Sequence, residues 1–241
     1  MHAALAGRAA DPDPAAAVPG SDAFEAEPVT DDDLRSWRAQ ASAEARTSLA
    51  MLRNTSLLHE SAQTAATAVL GAEAKLLRLI EERAASGAGM IKCRTHGDYH
   101  LAQVLLQRDD FILIDFEGEP ARPLAERRRK TSPLRDVAGM LRSFSYARHH
   151  AEVTCRRESA DCAAYAPLLA DWERETRAAF LEGYADAAGR SGLQAPLREL
   201  QTVLDLFEIE KAFYELRYEL DNRPDWAVIP LDALRRFADA S

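Results

Sequence analysis

Thr95-His-Gly-Asp-Tyr-His-Leu-Ala-Gln103 is followed by two short β-prone runs, Gln103-Val-Leu-Leu-Gln107 and Phe111-Ile-Leu-Ile-Asp-Phe116, and then by Glu117-Gly-Glu119. A third β-prone run, Ile91-Lys-Cys-Arg-Thr95, leads into it. Arg108-Asp-Asp110 reads as a tight turn, so the pattern predicts a small hairpin preceded by a glycine-containing loop. Asp98 sits in that loop, Gln103 stands five residues on, and Asp115 ends the last run.

Helical grammar surrounds this island on both sides. Upstream, Thr30 and Asp33 have capping-box spacing, and Leu34, Trp37, Ala41, Ala45, Leu49 and Leu52 recur at helical period. A second helix is expected from Ser61 to Ala85, with Val69, Leu76, Leu77 and Ile80 on its core face, stopped by Gly87-Ala-Gly89. Downstream, Leu134, Val137, Met140, Leu141 and Phe144 make one stripe after Pro133, and Trp172, Phe180 and Tyr184 mark another helix. Pro196 suits the first turn of a long helix to about Asp221, ended by Asn222-Arg-Pro224, and a last short helix is expected from Pro230. The fold class is therefore mainly α with a small β-hairpin. Residues 1–30 are rich in Ala, Pro, Asp and Gly and read as a disordered tail or linker, leaving 31–241 as the folded part.

Composition narrows the function. The 241 residues carry 39 acidic and 30 basic side chains, a formal charge of −9, which argues against a nucleic-acid-binding face. No apolar run approaches the roughly 18 residues that span a bilayer, and no signal peptide is visible, so a cytoplasmic protein without membrane partners is expected. Cys93, Cys155 and Cys162 are odd in number and lack C-x-x-C spacing, which favours free thiols.

The loop and hairpin hold the residues suited to chemistry. Phosphoryl transfer needs a carboxylate to accept or orient the acceptor hydroxyl, an oxygen ligand for Mg²⁺, and a second carboxylate on that metal. Asp98, Gln103 and Asp115 have that order, although loop carboxylates and amides also cap turns. His96, Asp98 and His100 also spell H-x-D-x-H, a spacing that zinc could use. His149-His150 and the basic run Arg127-Arg-Arg-Lys130 read as solvated surface. Lys211, Tyr214 and Tyr218, at i, i+3 and i+7, share one helix face, either a packing face or a site. Trp37, Trp172 and Trp226 read as packing anchors.

Three segments resemble a known family: H-G-D-Y-H-L-A-Q; the run from I-D-F-E-G-E-P to S-P-L-R-D-V-A-G-M-L-R-S-F; and K-A-F-Y-E-L-R-Y-E-L-D-N-R-P-D-W. In that order they look like the bacterial maltokinases, including those fused behind trehalose synthase, within the protein-kinase-like superfamily on its aminoglycoside-phosphotransferase side. The resemblance implies the C-terminal lobe of a kinase-like fold and ATP- and Mg²⁺-dependent phosphorylation of maltose to maltose 1-phosphate. It makes Asp98 the catalytic base, Gln103 and Asp115 the metal ligands, and His96 a second catalytic residue that helps hold the loop and can face the sugar. Lys211, Tyr214 and Tyr218 become the maltose-binding face. Trehalose synthase, or a separate nucleotide-binding lobe, is the implied protein partner.

A kinase of this type also needs strands, a phosphate-covering loop and a strand-borne lysine ahead of the catalytic loop. Lys75 and Lys92 are the lysines upstream, and neither stands in a strand of that kind. The expectation is a chain without its nucleotide lobe and cap, with weak or no activity alone. The alternative is a non-catalytic carbohydrate-binding or scaffolding module.

Overall fold

The computed structural model describes residues 1–6, 23–55, 60–120, 122–158, 162–190 and 197–240. The capping box forms as the spacing requires: Asp33 N donates to Thr30 Oγ1 (3.3 Å) and Thr30 N to Asp33 Oδ2 (2.8 Å). It starts α2 (Asp31–Asn54), whose stripe of Trp37, Ala41, Ala45, Leu49 and Leu52 is buried, mainly against α8 (Leu197–Asn222).

The single helix expected over 61–85 is two, α3 (Glu60–Gly71) and α4 (Glu73–Ala84). At the joint the Ala72 N–H is shared between the carbonyls of Ala68 (3.0 Å) and Val69 (3.2 Å), and its ψ of 7° leaves the helical range. The break lets α3 pack on α9 (Val228–Asp239) while α4 stays with α2 and α8. Val69, Leu76 and Ile80 are buried and Leu77 partly so.

α8 runs through the middle of the core, with Leu204, Leu206, Ile209 and Phe213 fully buried. It also buries Glu208, Glu210, Glu215 and Glu219. Each has a donor on a neighbouring helix: Arg135, Arg142 and Tyr146 of α6 (Leu134–Glu158) meet Glu210 (2.8 Å), Glu215 (2.7 Å) and Glu219 (2.9 Å), and Arg177 of α7 (Cys162–Arg190) meets Glu208 (2.7 Å). A charge taken out of water needs such a partner, so these pairs fix how α6 and α7 seat on α8. The apolar stripe of α6 is buried as expected, whereas Trp172 of α7 is 41 % exposed. Trp226 stacks near Tyr146 (6.2 Å) and covers His149 (5.4 Å), so His149 is packed rather than solvated.

The expected hairpin forms, and the strand that enters the loop pairs outside it. β3 (Val104–Gln107) and β4 (Asp110–Leu113) form the hairpin, turning through Arg108 (φ 50°) and Asp109 (φ 64°). Two left-handed residues match the twist of a two-residue hairpin. Gln103 lies in a 3-10 turn before the ladder, and Ile114, Asp115 and Phe116 lie beyond it. β2 (Ile91–Lys92) pairs instead with β1 (Glu27–Pro28), antiparallel. Residues 1–6 and 23–30 of the expected tail thus contribute structure, since α1 (His2–Leu5) also docks with Ala6 buried against Cys93. Residues 7–22 of that stretch lie outside the described residues. No described helix is long and apolar enough to cross a membrane.

Candidate functional site

Backbone proximity builds the site. Gly97 (φ 86°) and Gly118 (φ 77°) face each other, and a Cβ on Gly97 would lie 3.0 Å from the Gly118 Cα. The loop around Asp98 and the turn after Asp115 meet this closely because neither has a side chain there. Behind the loop, a Cβ on Gly139 of α6 would lie 2.6 Å from the Tyr99 carbonyl oxygen. Asp136, in the first turn of α6 and 2 % exposed, accepts the backbone N–H of His96 (2.7 Å) on Oδ2 and that of Gly97 (2.9 Å) on Oδ1. His96, 1 % exposed, donates from Nε2 to the Ile114 carbonyl (2.8 Å) and packs on Phe116 (4.8 Å between centroids). It thereby ties the loop to the residue before Asp115.

Asp98 opens onto a cleft of about 370 Å³ that is also lined by Trp37, Gln40, Glu44, Glu119, Arg135, Glu210, Lys211 and Tyr214. Burial opposes its charge, but His100 (3.7 Å) and Lys211 (3.7 Å), with His96 behind them, outweigh burial and hold its carboxyl below the ordinary range. Lys211 Nζ also reaches Glu119 (3.8 Å) and lies 4.8 Å from the centroid of the Tyr214 ring. Burial and the neighbouring Glu119 push the Tyr214 hydroxyl up, so it is a neutral hydrogen-bonding group at any working pH.

Gln103 donates from its amide to Asp115 Oδ2 (3.0 Å), bringing an amide and a carboxylate together at the end of the hairpin. Asp115 is held at φ 63°, outside the conformation most side chains accept. An amide oxygen and a carboxylate are hard oxygen donors of the kind Mg²⁺ takes, with water and phosphate oxygens completing its shell. The zinc spacing does not assemble, because His96 Nε2 is committed to a carbonyl and no group of three or more metal-ligating side chains exists among the described residues.

Of the expected sugar face, Lys211 and Tyr214 enter the cleft with Asp98, whereas Tyr218 does not line it. Tyr218 is 45 % exposed, with the Arg223 guanidinium 5.6 Å from its ring. The basic run, which starts at the end of the short helix α5 (Leu124–Arg127), is also not simply solvated. Arg127 packs beneath Gly118 and donates to the Glu117 carbonyl (3.2 Å), and Lys130 pairs with Glu27 (2.5 Å), so both support the cleft wall. Lys92 pairs with Asp33 (2.8 Å).

Sequence reading missed Asp136, Glu119 and Glu210. Arg135 joins Glu210 (2.8 Å) to Gln40 (3.2 Å), and Glu210 Oε2 is buried at the cleft without a hydrogen-bond partner among the described residues. The available signal for Asp136 was an acidic residue in a helical first turn directly after Ser132-Pro133.

No protein-family model matches the chain. It is 30 % identical over 226 residues to a glucosamine kinase of Mycolicibacterium smegmatis, the match taking in 89 % of this chain and 49 % of the relative. A glucosamine kinase of Streptacidiphilus jiangxiensis is 27 % identical over 188 residues, 72 % of this chain and 39 % of the relative. The chain thus spans half or less of the curated relatives it matches. Among solved structures, a glucosamine kinase in complex with glucosamine, ADP and inorganic phosphate superposes with a TM-score of 0.71 at 20 % identity, over 88 % of this chain and 47 % of that one. Crystal form A of a glucosamine kinase gives 0.71 at 23 % identity, over 97 % and 49 %. The chain's relatives are sugar kinases, and its fold is that of about half of a glucosamine kinase.

Proposed function

We propose that this chain carries the acceptor-sugar site and the phosphoryl-transfer base of an ATP-dependent sugar kinase, acting with a nucleotide-binding half. The observation that supports it is Asp98, kept ionised on the glycine-containing loop at the mouth of a cleft lined by Lys211, Tyr214 and Glu119. Asp98 would orient the acceptor hydroxyl and take its proton as the phosphoryl group arrives. Its depressed pKa makes it a weak base, which suits a reaction catalysed chiefly by alignment and charge. Gln103 and Asp115 would hold Mg²⁺, whose chemistry is to neutralise charge on the triphosphate.

The acceptor we favour is glucosamine. Asp98, Glu119, Glu44 and Glu210 give the cleft several carboxylates, which suit an ammonium-bearing sugar. Maltose is the second reading, supported by the three segments that resemble maltokinases, and it would bring trehalose synthase in as partner. Six large apolar side chains on and just beyond the hairpin, Leu105, Leu106, Phe111, Ile112, Ile114 and Phe116, are 36–71 % exposed. They offer a surface for the nucleotide-binding half. Calorimetric titration with glucosamine and with maltose separates the acceptors. Saturable heat with glucosamine, weakened about tenfold or more in Glu119→Gln, is expected; binding of maltose alone would move the assignment to the disaccharide, and binding of neither would end the sugar-site reading.

A further inference from the structure

Asp136 is the keystone of the loop that presents Asp98, and its third donor comes from far away in sequence. His2 of α1 is 6 % exposed and donates from Nε2 to Asp136 Oδ2 at 2.9 Å, the same oxygen that accepts the His96 N–H at 2.7 Å. The imidazole stands edge-on to Tyr184 of α7, with centroids 5.7 Å apart and planes at 84°. Ala6, four residues on, is buried against Cys93, the residue that follows β2. α1 is therefore wedged between α7, the start of α6 and the strand entering the loop, with its imidazole inserted against the carboxylate.

We propose that His2 is a positioning residue that clamps Asp136 and, through it, the loop bearing Asp98; the catalytic consequence rests on the reading of Asp98 as the base. A buried carboxylate left short of a donor loses more than the net worth of one hydrogen bond, because the group stays desolvated. With His2 removed, Asp136 keeps the two backbone donors of the loop but no side chain holding it from behind. α1 itself is four residues long, too short to be stable as an isolated helix, so its place depends on the His2 and Ala6 contacts. The clamp is thus a docked segment in equilibrium with an undocked one. The loop is tightest when it is docked, and the His96 and Gly97 amides report its state directly.

Hydrogen exchange measured by mass spectrometry on the whole chain tests this without any assay of catalysis. In His2→Ala, exchange across residues 95–99 is expected to rise about tenfold, while the α8 segment 203–216 keeps its wild-type rate. His2→Gln, whose amide can still donate to Asp136, is expected to restore most of the protection. Unchanged exchange at 95–99 in His2→Ala would overturn the clamp, as would an increase of equal size in α8, which would mean general loosening. If the chain then phosphorylates a sugar alongside a nucleotide-binding half, His2→Ala should lower kcat several-fold with the sugar KM nearly unchanged. Absence of any sugar phosphorylation by the wild type would count against Asp98 as the base and leave the exchange result standing.

Discussion

With a nucleotide-binding half supplied, Asp98→Asn is expected to lower sugar phosphorylation by about 10²–10⁴-fold, the range for loss of a positioned general base. Sugar affinity is expected to stay within about twofold, because asparagine keeps the size of the side chain and one acceptor oxygen, and the cleft keeps Glu119, Lys211 and Tyr214. Steady-state kinetics beside calorimetry separates the two quantities. The loop should hold its shape in this variant, since its anchors are the Asp136 bonds to His96 (2.7 Å) and Gly97 (2.9 Å), not Asp98. A variant that binds sugar and turns over as fast as wild type would show that Asp98 is not the base.

The largest stability effect is expected at Glu215→Ala, about 3–5 kcal/mol in urea unfolding. Arg142 is 2 % exposed, and its Nε and Nη2 both donate to Glu215 Oε2, at 2.9 Å and 2.7 Å. Removing the carboxylate strands a guanidinium that cannot reach water. The pair also matters to the site, because α6 carries Asp136 behind the loop and α8 carries Lys211 and Tyr214 across the cleft. Their relative seating sets the distance from Asp98 to Lys211 and Tyr214. A double variant, Arg142→Met with Glu215→Leu, removes both charges and should recover most of the loss. A Glu215→Ala protein within about 1 kcal/mol of wild type would contradict the pairing.

Local features were legible in the sequence, and long-range pairings were not. The Thr30 capping box and the apolar stripes of α2 and α6 follow from spacing within one element, and each forms. The hairpin turn at 108–109 likewise needs only its neighbours. The break at Ala72 had one local signal, Gly71, but a single glycine is tolerated inside a helix; the partner that draws α3 away, α9, lies more than 150 residues further on. Nothing in the sequence of α8 itself marks Glu208, Glu210, Glu215 and Glu219 as buried. The stripe of Arg135, Arg142 and Tyr146 on α6 and Arg177 on α7, joined at Glu219 by Arg223, makes their burial tolerable.

The same division holds for the site. Asp98, Gln103, Asp115, Lys211 and Tyr214 could be named because each lies in a segment that resembles known kinases, and the structure gathers Asp98, Lys211 and Tyr214 about one cleft. Tyr218, one turn further along the helix, turns away to Arg223. His2 and Asp136 were not legible as a pair, since 134 residues separate them and a short Ala-rich stretch gives no sign of docking. Arg127 and Lys130 looked like solvated charge because their partners, the Glu117 carbonyl and Glu27, are set by the fold.

The most direct measurement mixes the purified chain with the half of the M. smegmatis glucosamine kinase that lies outside the match, and follows phosphate transfer from labelled ATP to glucosamine with Mg²⁺. Sugar phosphate is expected with the wild-type chain and should vanish with Asp98→Asn. The contradicting result would be no product from the folded, associated chain under conditions where the relative's own two halves, mixed in the same way, phosphorylate glucosamine.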